Sequence, residues 1–342
     1  MRARWRPARA ATTTAAVAAS LTVLLPEVLG LDRTPPWPLV VAFRRRLALG
    51  TGAAALAVGA RPGWWRAPAL GTSAVAAGAT GLSLWRHRPR REPAGVGTRE
   101  LTVLGANVWL GLADPGALAA VIECERPDVV VLPEAGDRFR KRLLDGLDGY
   151  RARSCAPHRA AVEAAGVADG PCLTVLTAAA LGEVDVAVAS SDTRSGWVVV
   201  SGGGLGAVRV VGVHPAVLLP ATTRDWVREL ALLRPWLADP TRPTVVLGDL
   251  NATLEHGPLQ HALGGGRPVT RGVPATWPAW WRRPFGVVID HVVVAGPVGV
   301  RSVEVIDVRG SDHRAVLARL RVASEGQYPV PTGSNVIRPA GS

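Results

Sequence analysis

The residues best suited to chemistry lie at the end of an apolar run, in the sequence VVLGDLN from Val245 to Asn251. The run predicts a buried strand, and Gly248 can end it in a conformation that other residues rarely adopt. If the chain is still extended there, the side chains of Asp249 and Asn251 leave from the same face. A carboxylate can then take a proton from water, and a carboxamide can donate hydrogen bonds to developing negative charge. The alternative interpretation is a strand followed by an Asp-x-Asn turn.

Six polar clusters end apolar stretches of the chain, and the run around Asp290 is the most informative of them. A carboxylate inside a valine run must be paired or hydrogen-bonded, because burying it alone is costly. Each other cluster has a structural explanation as a turn, cap or core residue, but six coincidences are less probable than one. The clusters are Asn107 in GANVW, Glu134 in VVVLPEAG, His214 in VVGVHPA, Asp249 and Asn251 in VVLGDLNA, Asp290 in VVIDHVVV, and Asp312 with His313 in RGSDHRAVLA.

The segment that must position these clusters, residues 99–320, alternates strand-like and helix-like pieces. Strands before and after each helix, with adjacent strand pairs in the middle, predict an α/β (α+β) sandwich and not a strictly alternating barrel. The clearest amphipathic helix is Thr222 to Leu237. The predicted strands are Leu101–Val108, Val129–Leu132, Leu173–Leu176, Val184–Ala189, Trp197–Ser201, Val208–His214, Thr244–Leu247, Val287–Val294, Val303–Val308 and Arg314–Val322, and the other predicted helices are Gly116–Glu125 and Phe139–Leu147.

The formal charge of +12 is distributed very unevenly along the chain. Residues 1–96 hold 14 arginines against 3 acidic residues, whereas residues 97–342 hold 25 basic residues against 24 acidic ones. The basic excess therefore belongs to the N-terminal quarter. It gives no support for a broad nucleic-acid surface on the rest of the chain.

Residues 1–96 are predicted to form a membrane region with two or three transmembrane helices and a basic linker. The candidate spans are Ala10–Gly30, Leu39–Ala60 and Ala67–Trp85, so the predicted contact with the lipid bilayer runs through residues 10–86. A cleaved signal peptide is the competing interpretation of the first segment. The predicted location is the cell membrane, multi-pass. With three spans the following domain lies outside the cytoplasm, and with two spans it lies inside. Of these two locations we favour the one outside the cytoplasm.

None of the three cysteines has the spacing of a metal site. Cys124 lies in a helical pattern and is predicted to be a small core residue. Cys155 and Cys172 flank a loop-like segment and can pair if the domain folds in an oxidising compartment.

The order of the clusters resembles the endonuclease/exonuclease/phosphatase family, the deoxyribonuclease-like phosphoesterases. PDVVVLPE is similar to the family's PDVVxLQE, GDLNAT to its GDFNAT and SDHRAV to its SDHxPV, and TWPAW…FGVVIDHVVV resembles its TFP…IDHI segment. The resemblance implies a four-layer sandwich of two packed mixed β-sheets flanked by helices, here in a membrane-anchored bacterial member. The domains expected are the membrane region 1–96, a catalytic domain 97–322 and a disordered tail 323–342.

The resemblance also implies hydrolysis of phosphoesters with a divalent metal, Mg²⁺ or alternatively Mn²⁺. Position by position, Glu134 becomes the main metal ligand, with Asn107 and Asp312 beside it. Oxygen ligands of this kind suit a hard cation.

Five further residues receive catalytic roles from the same resemblance. Asp249 orients or deprotonates the attacking water, and Asn251 holds a phosphate oxygen. His313 contacts the phosphate or transfers a proton, Asp290 fixes its ring, and His214 contacts the phosphate or assists the leaving group.

Three departures from the family pattern leave the substrate open. Pro133 precedes Glu134, the segment Pro171–Leu181 reads PCLTVLTAAAL, and Pro215 follows His214. The substrates considered are a nucleic acid, a phospholipid headgroup or a small phosphorylated molecule, and no protein partner is predicted. The altered middle segment motivates the alternative function, a catalytically idle domain that binds a phosphorylated ligand or a protein.

Overall fold

Two six-stranded mixed sheets form the centre of the protein, as seen in a computed structural model that describes residues 5–89, 97, 99–155, 169, 172–190 and 192–323. The strands are β1 (Arg99–Gly105), β2 (Val129–Pro133), β3 (Tyr150–Cys155), β4 (Leu173–Ala178), β5 (Asp185–Ser190), β6 (Trp197–Ser201), β7 (Arg209–Gly212), β8 (Thr244–Asp249), β9 (Arg267–Pro268), β10 (Asp290–Ala295), β11 (Gly299–Asp307) and β12 (Arg314–Val322).

Each sheet contains one parallel strand pair at its centre and antiparallel pairs around it. The first sheet has the order β11-β12-β1-β2-β4-β3, with β1 parallel to β2, and the second has the order β5-β6-β7-β8-β10-β9, with β7 parallel to β8. The pairing of β8 with β10 sets Asp249 directly opposite Asp290. Two carboxylates far apart in the sequence thus meet across one strand pair.

The apolar runs are continuous in the central strands, because both faces of the sheets are buried there. Val129 and Val131 of β2 point into the layer between the sheets, where they belong to one cluster with Leu247 of β8. The alternate residues Val130 and Leu132 point to the outer face and pack with helical residues. The predicted sandwich of two packed mixed sheets flanked by helices is confirmed.

Helices flank both sheets, and a capping residue or a proline sets the boundary of two of them. On the first sheet lie α5 (Pro115–Glu125) and α6 (Asp137–Leu144), and the side chain of Asp114 accepts hydrogen bonds from the first-turn amides of α5. On the second sheet lie α7 (Thr223–Ala231), α8 (Arg234–Leu237) and α9 (Gly257–Leu263). The single helix predicted from Thr222 to Leu237 is divided into α7 and α8 ahead of Pro235, which lacks the amide needed to continue a helix.

In the described part of the chain, four α-helices precede the sheets: α1 (Trp5–Leu24), α2 (Trp37–Ala42), α3 (Arg44–Gly59) and α4 (Arg66–His87). The helices α3 and α4 pack closely through small residues, among them Ala48 and Ala76. The segments predicted as spans are therefore helical over much of their length.

The prediction that these helices cross a membrane is wrong. Among the described residues, no helix combines the length and the apolar character that a bilayer crossing requires. The helix α3 has 16 residues, about 24 Å at 1.5 Å per residue, against about 30 Å of hydrocarbon, and it begins with three arginines. The helices α1 and α4 are long enough, but alanine, glycine, serine and threonine keep their hydropathy low. This finding contradicts the predicted bilayer contact through residues 10–86 and the multi-pass location.

Two smaller predictions have different outcomes. Cys155 and Cys172 are not joined by a disulfide in the structure, and Cys124 is exposed and not in the core as predicted. The predicted disordered tail starts at Ala323, and residues 324–342 lie outside the described part of the chain.

Candidate active site

The site is built around the end of β8, where Gly248 packs closely against the backbone of Val213, just after the neighbouring strand β7. Its φ is +148°, and a Cβ at this position would lie 1.9 Å from the carbonyl oxygen of Val213. Only glycine therefore fits between β8 and the neighbouring chain. Asp249 follows with 1% of its surface exposed, and its carboxylate Oδ1 accepts a hydrogen bond of 2.8 Å from the amide of Asn251.

A buried histidine–carboxylate pair lies beside Asp249. Nδ1 of His313 is 2.9 Å from Oδ2 of Asp290, and Nε2 of His313 is 3.7 Å from Oδ2 of Asp249. The Asp290 carboxylate fixes the ring, so that Nε2 faces Asp249. The buried carboxylate in the valine run thus has the partner that its burial requires.

Asn107 joins two carboxylates at the end of β1. Its Nδ2 donates hydrogen bonds of 3.0 Å to Oε1 of Glu134 and of 3.0 Å to Oδ2 of Asp249. Its Oδ1 accepts a hydrogen bond of 2.9 Å from the amide of Trp109. Asn107 therefore acts through its amide group as a bridge between the predicted metal ligand and the predicted base.

The carboxylate of Glu134 projects from a left-handed residue at the end of β2. Its φ is +62°, a conformation that few non-glycine residues adopt and that is concentrated at functional sites. Oε2 of Glu134 accepts a hydrogen bond of 2.8 Å from the amide of Leu110, and Oε1 lies 3.7 Å from Nε2 of His214. Asn251 adopts a similar backbone, with a φ of +50°, and its Nδ2 donates to the carbonyl of Pro215 at 3.1 Å.

His214 is held by a serine that sequence patterns do not reveal. The hydroxyl of Ser195 lies 3.0 Å from Nδ1 of His214, and both side chains are buried. Nε2 of His214 then faces Oδ2 of Asp249 at 3.8 Å. Ser195 precedes β6 in a loop without an apolar run or a motif, so no sequence signal identifies it.

Asp312 presents one carboxylate oxygen without a hydrogen-bond partner. Its Oδ2 accepts a hydrogen bond of 3.2 Å from Nε1 of Trp277, whereas Oδ1 is buried and unpartnered among the described residues. This Oδ1 lies 3.8 Å from Nε2 of His313. A buried carboxylate oxygen that accepts no hydrogen bond is well suited to be the ligand of a cation.

Charge in the site follows from burial and from the carboxylates around the histidine. Burial raises the pKa of Asp249 to about 6, although the neighbouring His313 opposes that change. Burial disfavours the charged form of His313, but the carboxylates of Asp290 and Asp249 outweigh it and raise its pKa to about 10. Burial also raises the pKa of Asp312. The arrangement places a basic carboxylate against a protonated imidazole, which suits proton transfer and stabilisation of an anion.

The structure places all eight sequence-predicted residues within one connected group. Seven are linked by the side-chain distances above, and Asn251 joins them through the hydrogen bond that its backbone amide donates to Oδ1 of Asp249. Two groups of side chains could hold a cation or orient a phosphate: Glu134 with His214 and Asp249, and Asp249 with Asp290 and His313. The unpartnered oxygen of Asp312 is a further candidate ligand. Their individual roles stay predictions. Ser195, Trp277 and Ser311 are contacts that the sequence analysis missed, the last through a hydrogen bond of 2.7 Å to the carbonyl of Asn107.

Solved structures with a similar fold share little sequence with the chain. A humanized D. rerio TDP2 with 14 mutations has a TM-score of 0.51 and 15% identity over 65% of this chain and 99% of that one. The D. rerio TDP2 complexed with single strand DNA product has the same TM-score and identity over 66% of this chain and 100% of that one. An endonuclease/exonuclease/phosphatase from Bacteroides vulgatus has a TM-score of 0.50 and 15% identity, with the same coverage. These likenesses support the fold.

A search of curated proteins gives no match. The family model described as "Endonuclease/Exonuclease/phosphatase family" matches residues 104–313, well over half of the chain, and this range includes every candidate site residue. The chain belongs to the endonuclease/exonuclease/phosphatase family and is a hydrolase of phosphoester bonds.

Proposed function

We propose that the protein hydrolyses a small phosphoester with a bound divalent cation, Mg²⁺ or Mn²⁺. The observation that carries this proposal is the connected set in which Asn107 bridges Glu134 and Asp249, while His313 faces Asp249 and is held by Asp290. A domain that only binds a ligand has no need for a buried carboxylate and a buried histidine poised for proton transfer. The catalytically idle alternative is therefore disfavoured.

Glu134 and Asp312 are the residues that would hold the cation. Both offer carboxylate oxygens, and the unpartnered buried Oδ1 of Asp312 fits a ligand position. When bound, such a cation draws negative charge from the phosphoryl oxygens and lowers the pKa of a water molecule. Asn107 would keep Glu134 and Asp249 at a fixed separation through its two donated hydrogen bonds.

Asp249 is the residue that would take the proton of the attacking water. Burial raises the pKa of its carboxyl group to about 6, so it is a stronger base than an ordinary aspartate and is still ionised at neutral pH. The hydrogen bond from the amide of Asn251 to Oδ1 leaves Oδ2 directed into the site. The oxygen of the water then bonds to phosphorus as the ester oxygen leaves.

His313, His214 and Asn251 would bind the phosphoryl group. The protonated ring of His313 can donate from Nε2 to a phosphoryl oxygen, because Asp290 occupies Nδ1. His214 presents Nε2 to the same space, because Ser195 occupies Nδ1. Preorganised donors of this kind stabilise the negative charge that grows in the transition state.

The rim of the site favours a small phosphoester with an apolar group over a long nucleic acid. Residues 97–342 are nearly neutral, so they lack the excess positive charge that tracks a phosphate backbone. Trp109 and Trp280 are exposed, with ring centroids 6.0 Å apart. Trp280 follows Trp277, which contacts Asp312, so the aromatic pair borders the site.

A substrate panel tests the proposal. The purified full chain is incubated with phosphodiesters, phosphomonoesters and single-stranded DNA, each with Mg²⁺, with Mn²⁺ and with a chelator. We expect metal-dependent release of product from small esters and a weaker rate on DNA. A rate that is unaffected by the chelator, or the absence of turnover on every ester, would reject the proposal.

A further inference from the structure

A second polar cavity lies away from the active site, between the N-terminal helices and the sheets. Its volume is about 480 Å³, and its walls include Arg45, Arg46, Ser83 and Glu255, with apolar contributions from Leu49 and Val287. None of the eight candidate catalytic and metal residues lines it. A cavity of this size accommodates a small organic molecule.

The buried charges behind one wall balance each other. Arg44 contacts Glu27 at 2.5 Å and Glu255 at 3.1 Å, and Arg86 contacts the same two carboxylates at 3.5 and 3.4 Å. Two guanidinium groups thus face two carboxylates. The negative charge of Glu255 is already compensated and is not available to neutralise other cations in the cavity.

Two further arginines in the cavity wall have no carboxylate partner among the described residues. Arg45 is exposed to solvent and makes no described hydrogen bond or ion pair, whereas Arg46 is half-buried and donates to the backbone carbonyls of Pro284 and Gly286. Burial and the adjacent charge of Arg45 both lower the pKa of Arg46. The cavity wall therefore carries two guanidinium groups without a carboxylate partner among the described residues, that of Arg46 half-buried and that of Arg45 exposed to solvent.

The start of helix α3 adds to this positive field. Arg44, Arg45 and Arg46 occupy its first turn, where the partial positive charge of a helix disfavours cations and favours anions. No acidic residue lies in that turn, and no side chain caps the helix. Glu27 and Glu255 compensate Arg44, whereas no described carboxylate compensates Arg45 and Arg46 at this positive end of the helix.

A buried hydroxyl provides an independent sign of a ligand. Ser83 of α4 lines the cavity with 0% of its surface exposed, and its Oγ has no hydrogen-bond partner. A buried serine hydroxyl is normally satisfied, because an unsatisfied one destabilises the fold. An oxygen of a bound ligand would satisfy it.

We propose that this cavity is a binding site for a small phosphate monoester, separate from the catalytic site, with Arg45 and Arg46 as its cationic ligands and Ser83 as a hydrogen-bond donor. A dianionic phosphate matches the two uncompensated guanidinium groups, and its oxygens can accept from several donors at once. The apolar side chains of Leu49 and Val287 would contact the carbon portion of the ligand.

Isothermal titration calorimetry tests this proposal. The protein is titrated with inorganic phosphate and with glycerol phosphate, both in the presence of a chelator. The chelator removes any metal-dependent binding at the catalytic site. We expect one site for each ligand, with a dissociation constant of about 1 mM or lower. Acetate should bind at least tenfold more weakly, because a single carboxylate carries less charge than the phosphate.

Variants separate the two sites. Arg45→Gln should weaken phosphate binding by about tenfold or more, Ser83→Ala should weaken it by a smaller factor, and Arg45→Lys should restore part of the affinity. Arg138→Gln, which removes an exposed arginine from α6, should bind phosphate as the wild type does, and His313→Gln should retain the binding that Arg45→Gln weakens. The proposal is wrong if the wild type does not bind phosphate, if Arg45→Gln binds it unchanged, or if His313→Gln abolishes binding.

Discussion

Nδ1 of His313 lies 2.9 Å from Oδ2 of Asp290, and both side chains are almost completely buried. The two residues are brought together because β10 begins with Asp290 and the turn before β12 ends with His313. The carboxylate decides which nitrogen of the ring faces Asp249 and keeps the ring protonated. Every catalytic role assigned to His313 depends on this contact.

The first prediction concerns Asp290→Asn. The amide keeps the shape of the side chain but removes the negative charge, so the ring of His313 is protonated less readily and can adopt the wrong tautomer. We expect kcat to fall by about 100-fold or more, and the unfolding midpoint to fall as well because the buried imidazolium loses its charge partner. Steady-state kinetics with a small phosphoester and a urea titration measure the two quantities.

Asp148→Asn is the matched control for Asp290→Asn, because Asp148 is an exposed aspartate in a loop. It should leave kcat and stability unchanged. If Asp290→Asn retains wild-type kcat, the positioning role of Asp290 is refuted.

The second prediction concerns Ser195, which acts through His214. In Ser195→Ala the imidazole loses the hydrogen bond at Nδ1 that directs Nε2 towards Glu134 and Asp249. We expect kcat to fall by about tenfold, the equivalent of ~1.4 kcal/mol, and Ser195→Thr to restore part of it because threonine retains the hydroxyl. Equal kcat values for the alanine variant and the wild type would show that Ser195 has no positioning role.

The third prediction concerns the backbone at Gly248. Alanine at this position would need a φ that side chains disfavour, and its Cβ would overlap the carbonyl oxygen of Val213. We expect Gly248→Ala to lower the free energy of unfolding by about 3 kcal/mol or more, as judged by urea denaturation. Gly264→Ala is the comparison, because that glycine has a φ of +52° but open space around it, and it should cost less. Equal costs for the two variants would contradict the role of close packing at Gly248.

The fourth prediction is a loss of stability in mild acid. Burial lowers the pKa of His256 and of His291 to about 4. Each ring makes the bonds of its neutral form: Nε2 donates to a backbone carbonyl, of Pro38 or Ala252, and Nδ1 accepts from a neighbouring donor. Protonation would place an N–H of His256 against the backbone N–H of Thr253, and in both residues it would bury a positive charge.

The unfolded chain therefore binds protons at these positions more readily than the folded one. The stabilisation is complete above the unfolded pKa of about 6.5 and decreases as the pH falls towards 4, by up to about 3 kcal/mol for each histidine. Urea titrations at several pH values measure it, and His291→Gln should reduce the slope between pH 6.5 and 4. A midpoint that does not change across this range would contradict the assignment of buried neutral rings.

The sequence predicts the sheets and most of the site because both depend on local patterns. Apolar runs ending in a polar residue mark Glu134, Asp249 and Asp290, since the ends of neighbouring strands meet at one edge of a sandwich. Ser195 and Trp277 do not end an apolar run, so this pattern gives no signal for them. They belong to the site only because they contact His214 and Asp312 in the folded structure.

The N-terminal helices are the part of the fold for which the sequence-based prediction failed. Their many alanines and glycines produce long stretches without charge, but these small side chains add little hydropathy, and the prediction of membrane spans fails. The ion pairs of Arg44 and Arg86 with Glu255 join residues more than 160 positions apart. No periodicity in the sequence reveals a contact of this kind.

The most direct test of the central claim compares Asp249→Asn with Asp148→Asn in the same metal-dependent assay. Asp249 is the residue on which Asn107, His214 and His313 converge, so its carboxylate should be essential to the hydrolysis. We predict that Asp249→Asn lowers kcat on a small phosphoester by about 1,000-fold or more while the protein stays folded. Wild-type kcat in Asp249→Asn would contradict the account of the active site.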